Sequence, residues 1–197
     1  ESPKINFGKT DNEIGKYAIA SLRKATKDLS TGEINVMVTA PINKSSVQSE
    51  SFAFPGHTEY LSSELNGEAT MLMISNQLRI STLTAHIPIN NVAKNITKEA
   101  VKKKISTLEK TLIEDFNISK PKIAVLGLNP HSGDQGLLGS EEKEILMPVL
   151  KDMLEKGSLV FGPYSADGFF GSNKHETFDV ILAMYHDQGL IPFKTLS

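Results

Sequence analysis

The chain has 197 residues, 21 of them basic and 23 acidic, for a formal net charge of −2, and it contains no cysteine. Its length allows a substantial core in one domain or slightly more, the balanced charge argues against nucleic-acid binding, and its apolar runs are too short to span a membrane. Because thiolate metal sites are excluded, any metal must be held by His, Asp or Glu, which suits zinc, cobalt, manganese or magnesium.

The N-terminal third predicts two helices and a strand. Residues 11–29 carry apolar side chains at helical spacing, and residues 34–39 form an apolar run typical of a strand. Lys44 follows that strand in a loop, where it either binds an anion or faces solvent. The next segment predicts a turn that enters a short helix, with Thr58 as its N-cap. His57 would then lie at a helix N-terminus, where backbone N–H groups favour anions.

The rest of the chain alternates predicted strands with predicted helices. The strands are 70–75, 79–85, 122–128, 159–161 and 178–184. The first two are joined by a short link, which predicts an antiparallel hairpin. Thr97 and Ser140 cap the intervening helices, and Pro148 predicts a kink or a break in the second of them. The alternation indicates an α/β fold with a mixed sheet, and no linker marks an internal domain boundary.

Three of the five histidines follow predicted strands directly: His86, His131 and His186. Ligands of open α/β sheets bind beyond the carboxyl ends of the strands. One such histidine is more often a hydrogen-bonded loop residue, but three in the same setting predict a shared metal site. Imidazole is the commonest side-chain metal ligand, and three of them leave open positions for a substrate.

The segment after the last strand reads His186-Asp187-Gln188, and Gly189 and Pro192 then predict an absence of regular structure. Asp187 is a candidate base in this triplet. Asp167 is a second candidate, because small and aromatic neighbours predict a desolvated carboxylate, although an N-cap role accounts for it as well.

Two further segments near these strands carry polar residues. The glycine-rich stretch 133–139 with Asp134, Glu141 and Glu142 predicts a flexible loop that shapes the site, since the carboxylates would repel a phosphate. His175 lies in a polar stretch, which predicts a solvated side chain.

These residues leave three classes of function open. A metal-dependent hydrolase would use a metal-bound water with Asp167 or Asp187 as base. A metal-dependent dehydrogenase would hold an alcohol beside a nicotinamide, yet the chain shows no glycine-rich dinucleotide fingerprint. A non-catalytic dimerisation or binding fragment is the third class. From the residues alone, the two enzymatic interpretations are close.

Five short blocks together resemble one known family. They are 39–44 (TAPINK), 55–61 (PGHTEYL), 85–88 (AHIP), 127–133 (GLNPHSG) and 185–189 (YHDQG). In this order, across nearly the whole chain, they are similar to the 4-hydroxythreonine-4-phosphate dehydrogenases of pyridoxal phosphate biosynthesis.

The resemblance implies a three-layer α/β fold with a mixed sheet flanked by helices, related to the isocitrate and isopropylmalate dehydrogenases. Those enzymes bind NAD without a Rossmann fingerprint, so the expected cofactor is NAD or NADP. The resemblance also implies one divalent metal (zinc, magnesium or cobalt) on His86, His131 and His186. Substrate contacts are implied for His57, Thr58 and Lys194.

The implied reaction oxidises the 3-hydroxyl group of 4-phosphooxy-L-threonine, and the resulting β-keto acid loses carbon dioxide to give 3-amino-2-oxopropyl phosphate. Lys194 would supply positive charge, and Asp167 and Asp187 are candidates for proton handling. Without a membrane-length apolar run or a signal peptide, a soluble cytoplasmic protein is the default expectation. The resemblance further implies a homodimer whose site is shared, with His86 and His131 from one subunit and His186 from the other.

Two departures from the family pattern limit this expectation. Family members begin with a glycine-rich strand-loop and continue beyond position 197, so we expect this chain to be part of a longer protein. Gly168 stands where many relatives have threonine. Sister dehydrogenases of phosphorylated threonate or erythronate share most of these blocks and remain the alternative substrate assignment.

Overall fold

The computed structural model describes residues 12–48, 52–67 and 69–197, with the side chains of Asn12 and Lys44 left outside the description. The chain divides into two compact units at Ala69. The expected anion-binding role of the Lys44 side chain therefore falls outside the described part.

The regular elements described in the first unit are helices. Its helices are α1 (Asn12–Ser30), α2 (Lys44–Val47) and α3 (His57–Glu64). The predicted helix at 11–29 is confirmed, and its apolar stripe buries Ile19 and Leu22. These two residues share a small core with Val47, Phe52 and Tyr60.

The predicted strand at 34–39 is wrong for the described structure. These residues form no strand and pair with none of the described strands. Val36 and Val38 are 76% and 93% exposed. An apolar run becomes a strand only where a neighbour completes its hydrogen bonds, and the described part of the chain supplies none here.

Helix α3 begins two residues earlier than predicted. Gly56 is its N-cap and makes no side-chain capping hydrogen bond, so Thr58 lies within the first turn and is not the cap. His57 is the first helical residue and so lies at the helix N-terminus, as predicted.

The second unit contains the sheet. In chain order its elements are β1 (Leu72–Ile74), β2 (Arg79–Thr82), α4 (Val92–Asn95), α5 (Lys98–Glu114), β3 (Lys122–Leu126), α6 (Met147–Glu155), β4 (Leu159–Tyr164), α7 (Ala166–Gly171), β5 (Val180–Ala183) and α8 (His186–Leu196). The strand order is β1-β2-β5-β3-β4. Strand β1 is antiparallel to β2, which confirms the predicted hairpin, and the remaining pairs are parallel.

Alternate residues of the central strands face opposite sides of the sheet, because successive side chains of a strand point in opposite directions. Val180 and Leu182 of β5 join a core with residues of α5 and α6. Ile181 and Ala183 join a second core with Phe169 of α7 and the partly buried Phe193 of α8. Helices therefore cover both faces, which confirms the expected three-layer α/β fold with a mixed sheet.

Helix α5 begins at a capping residue, and helix α6 begins beside a proline. The Thr97 hydroxyl accepts a hydrogen bond from the Ala100 backbone N–H over 3.1 Å, which confirms the predicted cap of α5. Before α6, residues Glu142–Leu146 form a wider helical turn, and Pro148 lies in the first turn of α6. Proline has no N–H to donate, and the helix accommodates it directly after this wider turn, in which the Met147 N–H donates to the carbonyl oxygen of Glu142.

The expectation that Gly189 and Pro192 prevent regular structure is wrong, because α8 runs through both. Gly189 is where α8 approaches the sheet: a Cβ atom there would lie 3.0 Å from methyl carbons of Ile80 and Thr82. The missing side chain therefore lets the helix pack closely on β2. No helix among the described residues is long and apolar enough to cross a membrane.

The prediction of a solvated His175 side chain is wrong. The residue lies in the short turn Lys174–Thr177 and is only 8% exposed, with its ring 5.7 Å from that of Phe170. The polar neighbours that predicted solvation face outward while the imidazole packs inward.

Candidate active site at the carboxyl edge of the sheet

The three strands that precede the candidate histidines are neighbours in the sheet. Strand β5 lies between β2 and β3 and is parallel to both. Their carboxyl ends therefore meet at one edge. His86, His131 and His186 follow these ends in sequence, so the predicted strand-exit placement is confirmed.

His86 and His186 come together at this edge. Their ring centroids lie 5.6 Å apart. The Oδ1 atom of Asp187 lies 2.7 Å from Nδ1 of His186, which leaves Nε2 of that ring for another ligand. Both imidazoles line an open cleft of about 410 Å³ together with Tyr185, Asp187 and the apolar Ile87 and Ile89.

The backbone fixes the position of this histidine pair. Beyond the end of β2, the Leu83 N–H donates to the carbonyl oxygen of Ala183 over 2.8 Å. Thr84 extends the pairing, since its hydroxyl and its N–H both donate to the carbonyl oxygen of Met184, over 2.8 and 3.2 Å. These hydrogen bonds join the segment after β2 to the segment after β5 at Thr84 and Met184. His86 and His186 each follow two residues later, which places the two imidazoles close together.

Gln188 has a structural role in the His-Asp-Gln triplet. Its Oε1 atom accepts a hydrogen bond from the Met184 N–H, and its Nε2 atom donates to the carbonyl oxygen of Gly127, both over 2.7 Å. The side chain thus joins the exit of β5 to the exit of β3. The sequence pointed to Gln188 as part of the His-Asp-Gln triplet but did not predict these two hydrogen bonds.

His131 lies in an unusual turn. The five residues His131, Ser132, Gly133, Asp134 and Gln135 all have left-handed backbone angles, with φ between 41° and 80°. Left-handed helical geometry costs roughly 1–2 kcal/mol for each residue other than glycine. Strain of this kind persists only where surrounding contacts enforce it, and it concentrates at functional sites. The contacts around the turn therefore hold the His131 segment in this geometry.

Glu142 is a site residue whose role the sequence did not reveal. It was expected to belong to a flexible loop, yet it is 2% exposed and both of its carboxylate oxygens accept hydrogen bonds from Asn129. In the sequence, a glutamate followed by charged residues is typical of the solvent-exposed face of a helix. The available signal was the run of glycines at positions 133, 136 and 139, because glycine permits close approach of a neighbouring side chain.

Asp167 is exposed, so the expectation of a desolvated carboxylate is wrong. It lies in the first turn of α7. A hydrogen bond from the Ser165 hydroxyl, helped by the Gly168 N–H, lowers the pKa of Asp167 below its ordinary value. The charge of His131 contributes in the same direction, which places the two side chains within electrostatic range.

The remaining candidates lie elsewhere. His57 is half-buried and Thr58 is exposed in the first turn of α3, in the first unit. Lys194 is exposed on α8, eight positions after His186, which is about 12 Å along the helix axis. Within the described residues no three His, Asp or Glu side chains form a group that could hold a metal. His86 and His186 are thus brought together, and His131 lines a different cleft.

A family model described as pyridoxal phosphate biosynthetic protein PdxA matches residues 1–197. The chain belongs to the PdxA family. This membership confirms the resemblance drawn from the five short blocks, since the curated relatives of this PdxA chain carry the name 4-hydroxythreonine-4-phosphate dehydrogenase.

Individual relatives of the PdxA chain agree with this result. The enzyme of that name from Bacteroides thetaiotaomicron is 52% identical over 196 residues, which cover 98% of this chain and 54% of that protein. The crystal structure of the Klebsiella pneumoniae enzyme superposes with a TM-score of 0.89 at 32% identity, over 98% of this chain and 58% of that one. A terephthalate 1,2-cis-dihydrodiol dehydrogenase from Burkholderia xenovorans reaches a TM-score of 0.75 at 26% identity, over 97% and 60%. The chain thus spans between 54% and 60% of the length of these relatives.

Proposed function

We propose that this chain carries the metal-binding and part of the substrate-binding machinery of an NAD- or NADP-dependent dehydrogenase. The reaction is oxidation of the 3-hydroxyl group of 4-phosphooxy-L-threonine, with loss of carbon dioxide to give 3-amino-2-oxopropyl phosphate. The observation that carries this proposal is the His86–His186 pair at the carboxyl edge of the sheet in a chain of the PdxA family. Sequence similarity supplies the reaction class, and the imidazole pair supplies a place for it.

The imidazole pair has the dimensions of two ligands of one metal ion. Zinc binds histidine nitrogen at about 2.0–2.1 Å with tetrahedral angles, which places the centroids of two bound rings about 5 Å apart. The observed 5.6 Å is close to this value. The contact between Asp187 and Nδ1 of His186 is the kind of carboxylate contact that orients a metal-binding imidazole and leaves Nε2 for the ion.

We assign the third ligand to His131 of the partner subunit in a homodimer. His86 and His186 are neighbours within one chain, whereas His131 lines a separate cleft. A two-fold axis would bring the His131 cleft of each subunit to the histidine pair of the other and create two equivalent sites. This division differs from the one implied by the family resemblance, in which His186 comes from the partner.

The bound divalent metal would act as a Lewis acid on the substrate hydroxyl, while NAD or NADP accepts the hydride. Asp187 holds His186 in one orientation through Nδ1. Lys194 adds positive charge for the substrate or for the anion that decarboxylation generates. Asp167, with its lowered pKa, is ionised near neutral pH and serves as an electrostatic partner of His131, with little strength as a base.

His57 and Thr58 are proposed to bind the substrate phosphate at the start of α3. The Gly56 cap makes no side-chain hydrogen bond, so the first N–H groups of this eight-residue helix remain for a ligand. Helix N-termini favour phosphate through these donors and the helix dipole.

A second candidate keeps the chemistry and changes the substrate. The structural relative from Burkholderia xenovorans is named for a diol without a phosphate group, so this fold serves more than one alcohol. Phosphorylated threonate and erythronate are the alternatives closest to the primary proposal. The assay of the whole protein therefore presents 4-phosphooxy-L-threonine and both alternatives, follows nicotinamide reduction and carbon dioxide release, and repeats each measurement with a chelator.

Chelator-sensitive nicotinamide reduction, fastest with 4-phosphooxy-L-threonine, is the expected result. Phosphate release without nicotinamide reduction would replace the proposal with the hydrolase. The metal site is tested by measuring zinc or cobalt content after single changes of His86, His131 and His186 to alanine. Each should lower the metal content strongly, whereas His57→Ala should leave it unchanged, and full occupancy in all three histidine variants would refute the metal site.

A further inference from the structure

Glu142 is a buried carboxylate placed against the segment that carries His131. Its Oε1 atom accepts the backbone N–H of Asn129 over 2.7 Å, and its Oε2 atom accepts the side-chain Nδ2–H over 2.9 Å. Both residues of this contact are fixed by it, since a single carboxylate binds a backbone and a side-chain donor of the same residue. Asn129 lies two positions before His131.

The same carboxylate packs against glycines on both sides of His131. A Cβ atom on Gly127 would lie 3.1 Å from Oε1 of Glu142, and one on Gly133 would lie 2.7 Å from Oε2. At Gly133 a side chain would displace the carboxylate, and at Gly127 the carboxylate would have to move by a few tenths of an ångström. Glu142 therefore contacts the chain at positions 127, 129 and 133 and encloses the base of the His131 turn.

The turn itself needs such an anchor. Two hydrogen bonds tie Ser132 of the turn to neighbouring carbonyl groups: the Ser132 N–H donates to the carbonyl oxygen of Asn129, and the Ser132 hydroxyl donates to the carbonyl oxygen of Pro163, over 3.1 and 3.0 Å. Both involve the residue next to His131, and the first depends on the position of Asn129. Four non-glycine residues in left-handed geometry would relax toward ordinary backbone angles if Asn129 were released.

We propose that Glu142 is a positioning residue, which holds the left-handed turn so that the His131 imidazole is directed outward to a metal ion. This inference rests on the proposed metal-binding role of His131 and extends it to a residue that touches neither metal nor substrate. His131 is exposed, and Glu142 lies behind it in the same cleft of about 570 Å³, together with Lys143 and Met147. A buried carboxylate whose acceptors are all directed at one loop fixes the direction of that loop.

The test replaces Glu142 by glutamine, which has the same shape but only one acceptor oxygen. The new NH₂ group faces a donor of Asn129, so one of the two hydrogen bonds becomes a donor–donor contact. We expect the Kd of the whole protein for cobalt, measured by calorimetry, to rise about 10- to 100-fold. The visible absorption of bound cobalt should change toward that of His131→Ala, because both variants lose the same ligand.

Glu144→Gln is the matched control, because Glu144 lies in the same helical turn, is exposed, and loses the same charge. Its cobalt affinity and spectrum should match the wild type. If Glu142→Gln does not fold by circular dichroism, Asn129→Ala decides. It removes the side-chain hydrogen bonds to Glu142 and Glu141 and keeps the backbone bond to Glu142, so it should weaken cobalt binding in the same direction by a smaller factor.

The outcomes separate the two proposals. Wild-type affinity and spectrum in folded Glu142→Gln, with cobalt binding lost in His131→Ala, would overturn the positioning role and leave the metal site standing. In the case where Glu142→Gln is unfolded, wild-type binding by Asn129→Ala would overturn it equally. Unchanged cobalt binding by His131→Ala itself would instead remove the metal-binding role of His131, and the positioning role with it.

Discussion

Gln188 donates a hydrogen bond from its side-chain amide to the carbonyl oxygen of Gly127 over 2.7 Å, and this bond ties the exits of two neighbouring strands. The same side chain accepts the N–H of Met184. One residue of α8 thus satisfies a backbone acceptor after β3 and a backbone donor after β5. Both backbone groups lie at the edge that carries the histidines.

Gln188→Leu should therefore destabilise the fold. The substitution keeps a similar volume but leaves a backbone N–H and a backbone carbonyl without their partner, and each unsatisfied group costs about 1–3 kcal/mol. Urea unfolding measures the free energy change. Gln77→Leu at the exposed hairpin link is the control and should stay within about 0.5 kcal/mol of the wild type. Equal effects of the two changes would contradict the bridging role.

Gly189→Ala tests the close packing of α8 on the sheet. The added Cβ would lie 3.0 Å from methyl carbons of Ile80 and Thr82, two side chains with little room to move. Overpacking of this size costs about 1–3 kcal/mol, and the helix should move outward with His186. Gly168→Ala in α7 is the matched control, because nothing lies within 4 Å of its new Cβ.

Gly168→Ala should be neutral or stabilise the protein by up to about 1 kcal/mol, since alanine restricts the unfolded chain more than glycine does. Thermal unfolding of both variants gives the comparison. Loss of cobalt affinity in Gly189→Ala alone would link helix position to the histidine pair, whereas equal Tm values in the two variants would show that the contact tolerates a methyl group.

The division of the histidines between subunits is tested by complementation. Mixed dimers are made from His131→Ala and His186→Ala subunits, and separately from His86→Ala and His186→Ala subunits. If His86 and His186 act within one chain with His131 from the partner, only the first mixture regains activity, at about half of the wild type per heterodimer. In the second mixture each chain lacks one histidine of its own His86–His186 pair, so neither site is complete.

Other divisions give different patterns. If His186 alone came from the partner, as the family resemblance implies, both mixtures would regain activity. If each site were built within one chain, neither would. Native mass spectrometry must first establish that the subunits exchange, so that a lack of activity reports on site composition.

Ser165→Ala should raise the pKa of Asp167, because the Ser165 hydroxyl is the main cause of its lowered value. A lowered folded-state pKa favours the folded protein above the unfolded-state pKa, and that contribution is lost as pH falls through the folded-state pKa. The residue is exposed, so the effect on stability is small, and the direct measurement is a carbon-13 NMR titration of the carboxyl group. Ser165→Thr retains the hydroxyl and should keep the low pKa; an unchanged value in Ser165→Ala would exclude the hydroxyl as its cause.

Sequence patterns predicted the sheet well because its central strands are short apolar runs with alternate residues buried on both faces. Residues 34–39 carry a similar run, but strand formation depends on a neighbour that a one-dimensional pattern does not contain. Helix α8 was missed for a related reason: Gly189 disfavours a helix locally, and only the adjacent Ile80 explains why glycine is needed there.

The candidate site likewise has features that the sequence predicted and features that it did not. The strand-exit histidines were found because strand ends can be located from composition. The Glu142 contact and the left-handed turn at His131 could not be found, because they depend on residues that lie 13 positions apart or on backbone angles that tertiary contacts impose. Asp167 was assigned to a desolvated setting because aromatic neighbours in sequence were taken as neighbours in space.

The sheet order also bears on how the protein forms during synthesis. Strand β5 is the last of the described strands in chain order, yet it lies in the sheet between β2 and β3. Until Val180–Ala183 emerges, the β1–β2 hairpin and the β3–β4 pair each present an unpaired apolar edge, and such edges promote aggregation. Translation must therefore pass residue 183 before the two halves can join, and the step that closes the sheet also delivers His186. If the ribosome stalls or slows before that point, the nascent chain stays exposed to chaperones for longer, and the candidate site is not yet assembled.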